Sequence, residues 1–449
     1  MGWSSRKSSA YTATLFLIIH VILTVSAYHA PHDTGFKLPS MNAPKTHPLP
    51  NNRLAIKGMR CLGVVCVLWA LTAATSTATA ISAQPPKEPA PPHKANAAKS
   101  KKTGTPPHKK TKPEKAKTPR HVHKTAAAGM PLESSEDTRA WVQDAVKRLQ
   151  IDPVWVTHTL AQAQRITAVE RLVLPPISPV AKNWTAYRAR FIEPVRIQAG
   201  VRFWQTHRSA LERAEREYGV PAALIVGIIG VETLYGQNTG NFRILDTLAT
   251  LAFHFPQAHP RAAERQMFFR SELEQFLGLT SRSGADPLAI RGSYAGAMGL
   301  PQFMPSSWAR HAVDFDGDGR VDLFNSPADA IGSVANYFKA FQWRTGMPTH
   351  YAVTLSPGQT DMDALLAPDI LPTFSAASFM AKGASLEGAA QQHNGPLALI
   401  ELRNGTAPPS YVAGTENFYA ITRYNWSSYY AMAVIDLAEA VARQVKNAP

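Results

Sequence analysis

The sequence predicts a mainly α-helical (α+β) protein with a small β insertion, preceded by a disordered N-terminal tail. Three observations support this fold class. Apolar residues recur at helical spacing in most segments beyond residue 135. Strand-like stretches occur only late in the chain, at 351–355, 397–403 and 418–424. Residues 84–130, in contrast, are rich in Pro, Lys and Ala and contain almost none of the large apolar residues that a core needs.

The formal net charge of +15 comes from the N-terminal part of the 449-residue chain. Residues 1–124 hold 19 of the 47 Lys and Arg residues but only three of the 32 Asp and Glu residues. The remainder is nearly neutral, which argues against a basic groove for nucleic acid. Both cysteines, Cys61 and Cys66, also lie in the N-terminal part. We therefore expect no cysteine nucleophile, Cys-ligated zinc or disulfide framework in the folded region.

Two apolar segments, at about 12–27 and 62–74, open the chain. The second follows basic residues and ends in Ala-Thr-Ala at 78–80, a pattern typical of a secretory signal peptide. Both segments are shorter than the roughly 20 apolar residues that span a bilayer. We interpret residues 1–83 as an export region and expect a periplasmic protein. A retained membrane anchor is the alternative.

Residues 84–130 are predicted to be a solvated spacer, because proline and like charges keep a chain extended. The alternative is a tether that also contacts an anionic polymer or a membrane face. The folded region is expected over 131–445, with its helical core at about 199–342 and the β insertion at about 345–425.

The helices follow from apolar spacing and from their terminal residues. Ser, Glu and Asp precede an amphipathic segment at 135–150. Residues 199–218 predict one long amphipathic helix ending at Gly219, and Pro221 begins the next helix, over 222–235. Further helices are predicted at 261–280, 327–342 and 427–446.

Glu232 is an acidic residue on an otherwise apolar helix. A helix that is apolar on all sides is buried, and glutamate is rarely buried without a reason. Glu232 also precedes the predicted stop at Gly236, where the helix dipole disfavours an anion. Loss of hydration acts in the same direction, so the protonated form is favoured, as a general acid requires. The structural alternative is a glutamate bonded to backbone groups or paired with an arginine such as Arg243.

Three segments of the chain resemble signatures of the membrane-bound lytic murein transglycosylase B family, which cleaves peptidoglycan. They are VPAALIVGIIGVETLYGQNTGNFRILDTLATLAF at 220–253, GSYAGAMGLPQFMPSSW at 292–308 and ITRYNWSSYYAMAV at 421–434. Their order and spacing extend the similarity over about 133–445. The resemblance implies a lysozyme-like α core with a further helical region and a small β domain. It also implies that Glu232 is the catalytic acid and base.

The resemblance also implies a substrate groove. Ser293 and Gln302 match residues that contact the sugar and its acyl groups. The remaining groove residues that it implies are Phe303, Tyr337, Tyr424, Asn425, Tyr430 and, before the catalytic helix, Tyr187. Core packing is the alternative role of each aromatic residue. The sequence departs from the family at Leu300-Pro301, where relatives often carry an aromatic residue and a glycine.

An acidic loop at 314–322 (DFDGDGRVD) matches the first half of an EF-hand loop. Gly319 occupies the sixth position, but the twelfth is Asn325 instead of Glu. Asp329 could close the site, as the resemblance implies, with Asp322 in the surrounding shell. The ligands at positions 1, 3, 5 and 7 would be Asp314, Asp316, Asp318 and the backbone of Arg320. A structural Ca²⁺ is predicted, and a metal-free Asp/Gly turn is the alternative.

Three functions compete for this sequence: a transglycosylase acting on peptidoglycan glycan strands, a catalytically silent wall-binding scaffold and a hydrolytic lysozyme. A scaffold would lack the acid that Glu232 provides. A hydrolase usually places a second carboxylate across the bond. The nearest candidate, Asp246, begins DTLATL and is expected to be a helix N-cap.

The sequence therefore favours a lytic transglycosylase with a substrate-assisted mechanism. Cell-wall synthesis proteins are further candidate partners, nucleic acid is not expected, and membrane contact is expected only through the N-terminus.

Overall fold

The structure, a computed structural model, describes residues 130–131, 135–176 and 181–447. The expected export region and nearly all of the expected spacer lie outside these residues. Among the described helices, none has the length and apolar character needed to cross a bilayer.

Helices dominate the described residues. The first group is α1 (Glu136–Leu149), α2 (Pro153–Ala161), α3 (Thr167–Leu172), α4 (Trp184–Arg188), α5 (Pro194–Thr206), α6 (Arg208–Tyr218), α7 (Ala222–Thr233) and α8 (Ile244–Phe253). The second group is α9 (Ala262–Ser283), α10 (Pro305–His311), α11 (Pro327–Ala340), α12 (Met362–Leu366), α13 (Ala376–Ala381), α14 (Glu416–Tyr424) and α15 (Ser428–Asn447).

The strands are short and antiparallel. They are β1 (Met130–Pro131), β2 (Gln164–Arg165), β3 (Phe242–Arg243), β4 (Arg291–Gly292), β5 (His350–Ala352), β6 (Thr354–Leu355), β7 (Ala384–Ser385), β8 (Ala398–Asn404) and β9 (Ala407–Gly414). Strands β5, β9 and β8 form a three-stranded sheet in that order. The other pairs are β1 with β2, β3 with β4, and β6 with β7.

Several helix boundaries follow directly from local sequence. Ser135 caps α1 by accepting a 3.1 Å hydrogen bond from the backbone N–H of Thr138. Gly219 ends α6 in the left-handed conformation, with φ 70°, as expected for a glycine stop. Pro221 is the residue that immediately precedes α7. The predicted start of α1 and the predicted stop at Gly219 are therefore confirmed.

The prediction of one helix over 199–218 is wrong, because the chain bends at His207 between α5 and α6. Both halves contact α7, but α5 also contacts α15, whereas α6 contacts α11. An unbroken helix would hold both halves in one line. The amphipathic spacing continues across the bend, so periodicity alone could not reveal it.

The prediction of a strand at 418–424 is also wrong, because this segment belongs to helix α14. Thr415 caps the helix by accepting a hydrogen bond from the backbone N–H of Asn417 at 3.2 Å. Phe418 and Ile421, three residues apart, are both fully buried on one helix face. Phe418 and Tyr424 pack against the main core.

The main hydrophobic core surrounds α7, and a smaller core lies in the β region. Ile225, Val226, Ile228 and Ile229 of α7 are all 0% exposed. Helix α15 packs closely along α7, and a Cβ atom added to Gly227 would lie 2.6 Å from the carbonyl oxygen of Val434. Gly227 therefore sets the distance between the two helices.

Replacing Gly227 with valine should lower the free energy of unfolding by about 1–3 kcal/mol or more, because the added atoms overpack the contact with α15. Chemical denaturation measures this change. Ala223→Val is the matched control, since Ala223 lies half-buried on the same helix. Equal losses in the two variants would contradict the close contact at Gly227.

Candidate active site

Glu232 lies at the C-terminal end of α7, the buried apolar helix. The helix stops within two residues, because Leu234 and Tyr235 adopt left-handed conformations with φ of 51° and 57°. Gly236 follows with φ 89°. The Glu232 side chain is half-buried, whereas most of the helix before it is enclosed. The abrupt stop thus places one carboxyl group at the edge of the main core.

The hydroxyl of Tyr430 donates a 2.6 Å hydrogen bond to Oε1 of Glu232. Tyr430 is fully buried on α15. Burial, reinforced by the negative charge of Glu232, raises the pKa of Tyr430 well above its ordinary value. The phenol therefore stays protonated at neutral pH and holds the carboxyl group in one orientation.

Two further tyrosines surround this pair. Tyr424 stacks on Tyr430 with ring centroids 6.3 Å apart, and its hydroxyl donates to the carbonyl oxygen of Pro301. Tyr187 is buried, and its hydroxyl has no hydrogen-bond partner in the part of the chain that the structure describes. Burial, followed by the charge of Glu232, raises the pKa of Tyr187. Its ring therefore lies within electrostatic reach of the carboxylate.

The turn at 292–303 lies beside the end of α7, and Ser293 is fully buried inside it. The Ser293 hydroxyl oxygen accepts hydrogen bonds from the backbone N–H groups of Ala295, at 3.3 Å, and Ala297, at 2.9 Å. The visible function of this hydroxyl is to shape the turn.

Gln302 occupies the last part of the same turn and is half-buried. Its backbone is left-handed, with φ 50°. The side-chain amide donates to the carbonyl oxygens of Gly299, at 2.9 Å, and Thr239, at 3.1 Å. The amide thus joins the turn to the segment that follows α7.

Phe303, Tyr337 and Tyr424 form an aromatic row beside the Glu232–Tyr430 pair. Their ring centroids lie 5.7 Å (Phe303–Tyr337), 5.8 Å (Phe303–Tyr424) and 4.8 Å (Tyr337–Tyr424) apart. Asn425, at the end of α14, is buried directly after Tyr424. The structure therefore brings the residues implied by the three signatures to one region of the fold.

Asp246 is not the N-cap that the sequence predicts. It lies inside the first turn of α8, where the N-cap position belongs to Arg243. Both Asp246 oxygens pair with the Arg243 guanidinium, at 2.6 and 2.8 Å, and one also accepts from the backbone N–H of Gln164. Both oxygens of this buried carboxylate are therefore engaged in structural hydrogen bonds. Arg243, the partner considered for Glu232, is engaged here instead.

The acidic loop gathers Asp314, Asp316 and Asp318, whose carboxylate oxygens lie within 4.8 Å of one another and are exposed. This all-oxygen donor set fits a hard cation such as Ca²⁺. Gly319 has φ 89°, as expected for the sharp turn at the sixth position. Arg320 follows, with its backbone N–H donating to Asp318 at 2.8 Å.

Asp329 lies behind the loop and is 1% exposed. Its Oδ1 accepts from the backbone N–H groups of Phe315, at 2.7 Å, and Asp316, at 3.3 Å. Its Oδ2 accepts from the backbone N–H of Asp322 at 2.8 Å. The carboxylate of Asp329 thus holds both ends of the acidic loop by binding the loop's backbone N–H groups.

Comparison with known proteins identifies the family. The model of the transglycosylase SLT domain matches residues 134–439. The chain belongs to this family. The resemblance inferred from the three sequence signatures is therefore confirmed.

Several transglycosylases of this family are similar to the chain. Membrane-bound lytic murein transglycosylase B of Escherichia coli K12 is 40% identical over 329 residues, which cover 71% of this chain and 86% of the relative. The Escherichia coli lytic transglycosylase Slt35, solved in complex with calcium, is 38% identical with a TM-score of 0.61, over 72% of this chain and 98% of Slt35. SltB3 of Pseudomonas aeruginosa, solved with NAG-NAM-pentapeptide, is 28% identical with a TM-score of 0.57, over 68% of this chain and 79% of SltB3. These structural matches and the observed helices confirm the predicted mainly α fold class with small sheets.

Thr233 is a site residue that the sequence analysis missed. Its hydroxyl donates to the carbonyl oxygen of Leu300 at 2.9 Å and accepts from the backbone N–H of Gly236 at 3.0 Å. It thereby fastens the end of the transglycosylase's apolar helix to the turn at 292–303. The available signal was a second polar residue, next to Glu232, in an otherwise apolar helix.

Thr233→Val should lower the free energy of unfolding by about 1–3 kcal/mol, because the buried carbonyl oxygen of Leu300 and the partly buried N–H of Gly236 lose their partner. Thr280→Val is the matched control. Thr280 is equally buried, but within the described residues its hydroxyl bonds only to carbonyl oxygens of its own helix, at Phe276 and Leu277. Denaturant titration should show a clearly smaller loss for the control; equal losses would refute the role given to Thr233.

Proposed function

We propose that this protein is a peptidoglycan lytic transglycosylase that acts in remodelling and turnover of the cell wall. It cleaves the β-1,4 bond between N-acetylmuramic acid and N-acetylglucosamine and leaves 1,6-anhydromuramic acid ends. The observation that carries the proposal is Glu232, held by Tyr430 at the end of a buried helix in a chain of the transglycosylase SLT family. A relative with 40% identity is a lytic murein transglycosylase.

In the first step, protonated Glu232 donates its proton to the glycosidic oxygen as the bond from C1 to that oxygen breaks. N-acetylglucosamine leaves with a new hydroxyl group. Tyr430, through its 2.6 Å hydrogen bond, keeps the carboxyl group oriented for this transfer. The half-buried position of Glu232 gives the sugar access while limiting hydration.

The positive charge that develops at C1 is stabilised by the oxygen of the substrate's own 2-acetamido group. Asp246, the carboxylate considered for a hydrolytic mechanism, is bound to Arg243 and cannot serve there. Glu232, now ionised, takes the proton from the C6 hydroxyl as its oxygen attacks C1. Glu232 recovers its proton, the anhydro ring closes, and no water is consumed.

The groove residues position the sugar so that its C6 hydroxyl reacts faster than water. In the aromatic row, Phe303 and Tyr337 are buried and support Tyr424, which is half-buried and would offer its ring to the sugar. Gln302 stands at the edge of the turn, with part of its side chain accessible. Tyr187, Ser293 and Asn425 are buried, so we assign them to the layer that supports the groove wall.

Glu232→Gln should reduce turnover of purified sacculi by 10⁴-fold or more, because the amide can neither donate nor accept the transferred proton and general acid–base catalysis contributes about 10²–10⁴-fold. The change preserves size and the acceptor for Tyr430. Mass analysis of the products measures both rate and chemistry. Glu274→Gln is the control, since Glu274 pairs with Arg148 away from the site.

Two outcomes would contradict the mechanism. One is substantial activity in Glu232→Gln. The other is wild-type product with reducing muramic ends, one water heavier than the anhydro form, which would indicate a hydrolase.

We also propose that the acidic loop binds a structural Ca²⁺. Asp314, Asp316 and Asp318 would hold the ion together with the backbone of Arg320. The resemblance implies that Asp329 closes the metal site as a ligand, but both of its oxygens already accept hydrogen bonds from loop amides, so we propose that it orders the loop instead. The solved structure of Slt35 contains calcium, which supports this assignment. We assign the ion a structural role only.

Ca²⁺ should raise the melting temperature, since a ligand present at 100 times its Kd stabilises the native state by about 2.7 kcal/mol. Calorimetry with excess Ca²⁺ and with chelator measures the difference. Asp318→Asn should shrink it, whereas Asp363→Asn, at an exposed site outside the loop, should leave it unchanged. Identical melting temperatures with excess Ca²⁺ and with chelator would exclude the calcium site.

For the N-terminal part, we propose export to the periplasm through residues 1–83, followed by a spacer over 84–130 that lets the catalytic region at 131–445 reach glycan strands. The relative with 40% identity is described as membrane-bound, which supports action at the envelope. The signal-like pattern at 78–80 supports cleavage of the leader.

A further inference from the structure

The side chain of Arg423 is framed by aromatic rings. Its guanidinium carbon lies 5.5 Å from the ring centroid of Phe341, 5.8 Å from that of Tyr419 and 5.7 Å from that of Trp426. All four side chains are half-buried, so the cluster reaches the surface. Rings at these distances attract the guanidinium through their π faces and restrict its movement, and its N–H groups can still bind an anion.

This arginine cluster continues the aromatic row of the proposed groove. Phe341 lies one helical turn after Tyr337, and their ring centroids are 4.5 Å apart. The Tyr337 hydroxyl donates a 2.6 Å hydrogen bond to the carbonyl oxygen of Arg423 itself. Tyr424, the next residue, stacks on Tyr430, which binds Glu232. Tyr424 is the half-buried member of the aromatic row, so a ligand that contacts its ring would lie next to Arg423.

The charge of Arg423 has no acidic partner within 135–176 and 181–447. The polar contact of its guanidinium is a weak one, 3.4 Å from Nη1 to the hydroxyl of Tyr419. Other arginines differ, because Arg344 pairs with Glu416 at 3.1 Å and Arg403 pairs with Glu401 at 2.5 Å. A half-buried arginine fixed by three rings but lacking a counter-ion is suited to a carboxylate supplied by a ligand.

We propose that Arg423 binds a carboxylate of the peptide stem carried by the substrate. This rests on the proposed function. The N-acetylated sugars of the glycan are neutral where the muramic lactyl group is joined to peptide, so the peptide supplies the anionic groups. SltB3 was solved with a pentapeptide-bearing ligand, which establishes that a relative accommodates such a stem. Arg423 thus gives the groove a preference for glycan with stems over bare glycan.

The experiment compares three substrates: murein with free stem carboxylates, the same murein with its carboxylates converted to methylamides, and amidase-treated glycan that carries only lactyl carboxylates. For wild type, kcat/KM should be about tenfold higher on free-carboxylate murein than on the methylamide form. Arg423→Gln should lose this preference, mainly through a higher KM with kcat little changed, as expected for lost ground-state binding.

The preference of Arg423→Lys for free-carboxylate murein should fall between those of wild type and Arg423→Gln, because lysine keeps the charge but loses the planar pair of donors. Arg403→Gln is the matched control and should retain the wild-type preference, because Arg403 lies on the sheet beside Glu401. Melting temperatures of all variants check that they fold.

The proposal is overturned if wild type treats the free and methylamide mureins alike, or if Arg423→Gln loses the same factor on both. An equally large Arg423 effect on amidase-treated glycan would assign the site to the lactyl carboxylate and exclude the stem. If the protein were not a lytic transglycosylase, the result would differ from each of these outcomes, because wild type would then yield no anhydromuramic ends from any of the three substrates.

Discussion

The site depends on one constraint: an apolar helix that is buried on all sides must stop immediately after its only carboxylate. Helix α7 gains its stability from burial against α15 and the surrounding core, and Gly227 permits that close contact. A carboxyl group one turn earlier would be enclosed without water or substrate. The left-handed residues Leu234 and Tyr235 end the helix at the point where Glu232 reaches the core edge. Such conformations are unfavourable for residues other than glycine, so the surrounding packing must hold them.

Contacts from distant segments keep this helix end in place. Thr233 joins it to Leu300, the hydroxyl of Tyr424 reaches Pro301, and Gln302 reaches back to Thr239. The turn, the C-terminal helices and the end of α7 therefore behave as one assembly around Glu232. Catalysis that relies on positioning instead of a second charged group needs such rigidity, because the C6 hydroxyl must reach C1 ahead of water.

Burial by itself does not identify a catalytic acid in this protein. Glu272 is 2% exposed, more buried than Glu232, and burial raises its pKa. Yet both Glu272 oxygens accept hydrogen bonds from Ser306, at 2.7 and 2.8 Å, at the start of α10. Asp246 is likewise paired with Arg243 through both of its oxygens. Glu232 differs from both because it is half-buried and because it accepts a hydrogen bond from Tyr430, whose phenol stays protonated.

The sequence by itself determined the features that depend on neighbours along the chain. The mainly helical class, the Ser135 cap, the Gly219 stop and the apolar helix around Glu232 follow from local spacing and end residues, because these act within one or two turns. Tertiary structure decided the rest. The bend at His207 lets one half of the pattern pack against α15 and the other against α11, while both contact α7.

Helix 416–424, the pairing of Asp246 and the place of Asp329 against the loop amides likewise depend on partners that lie elsewhere in the chain. Their hydrogen bonds and packing join segments separated by many residues, and no local pattern specifies which distant group will be near.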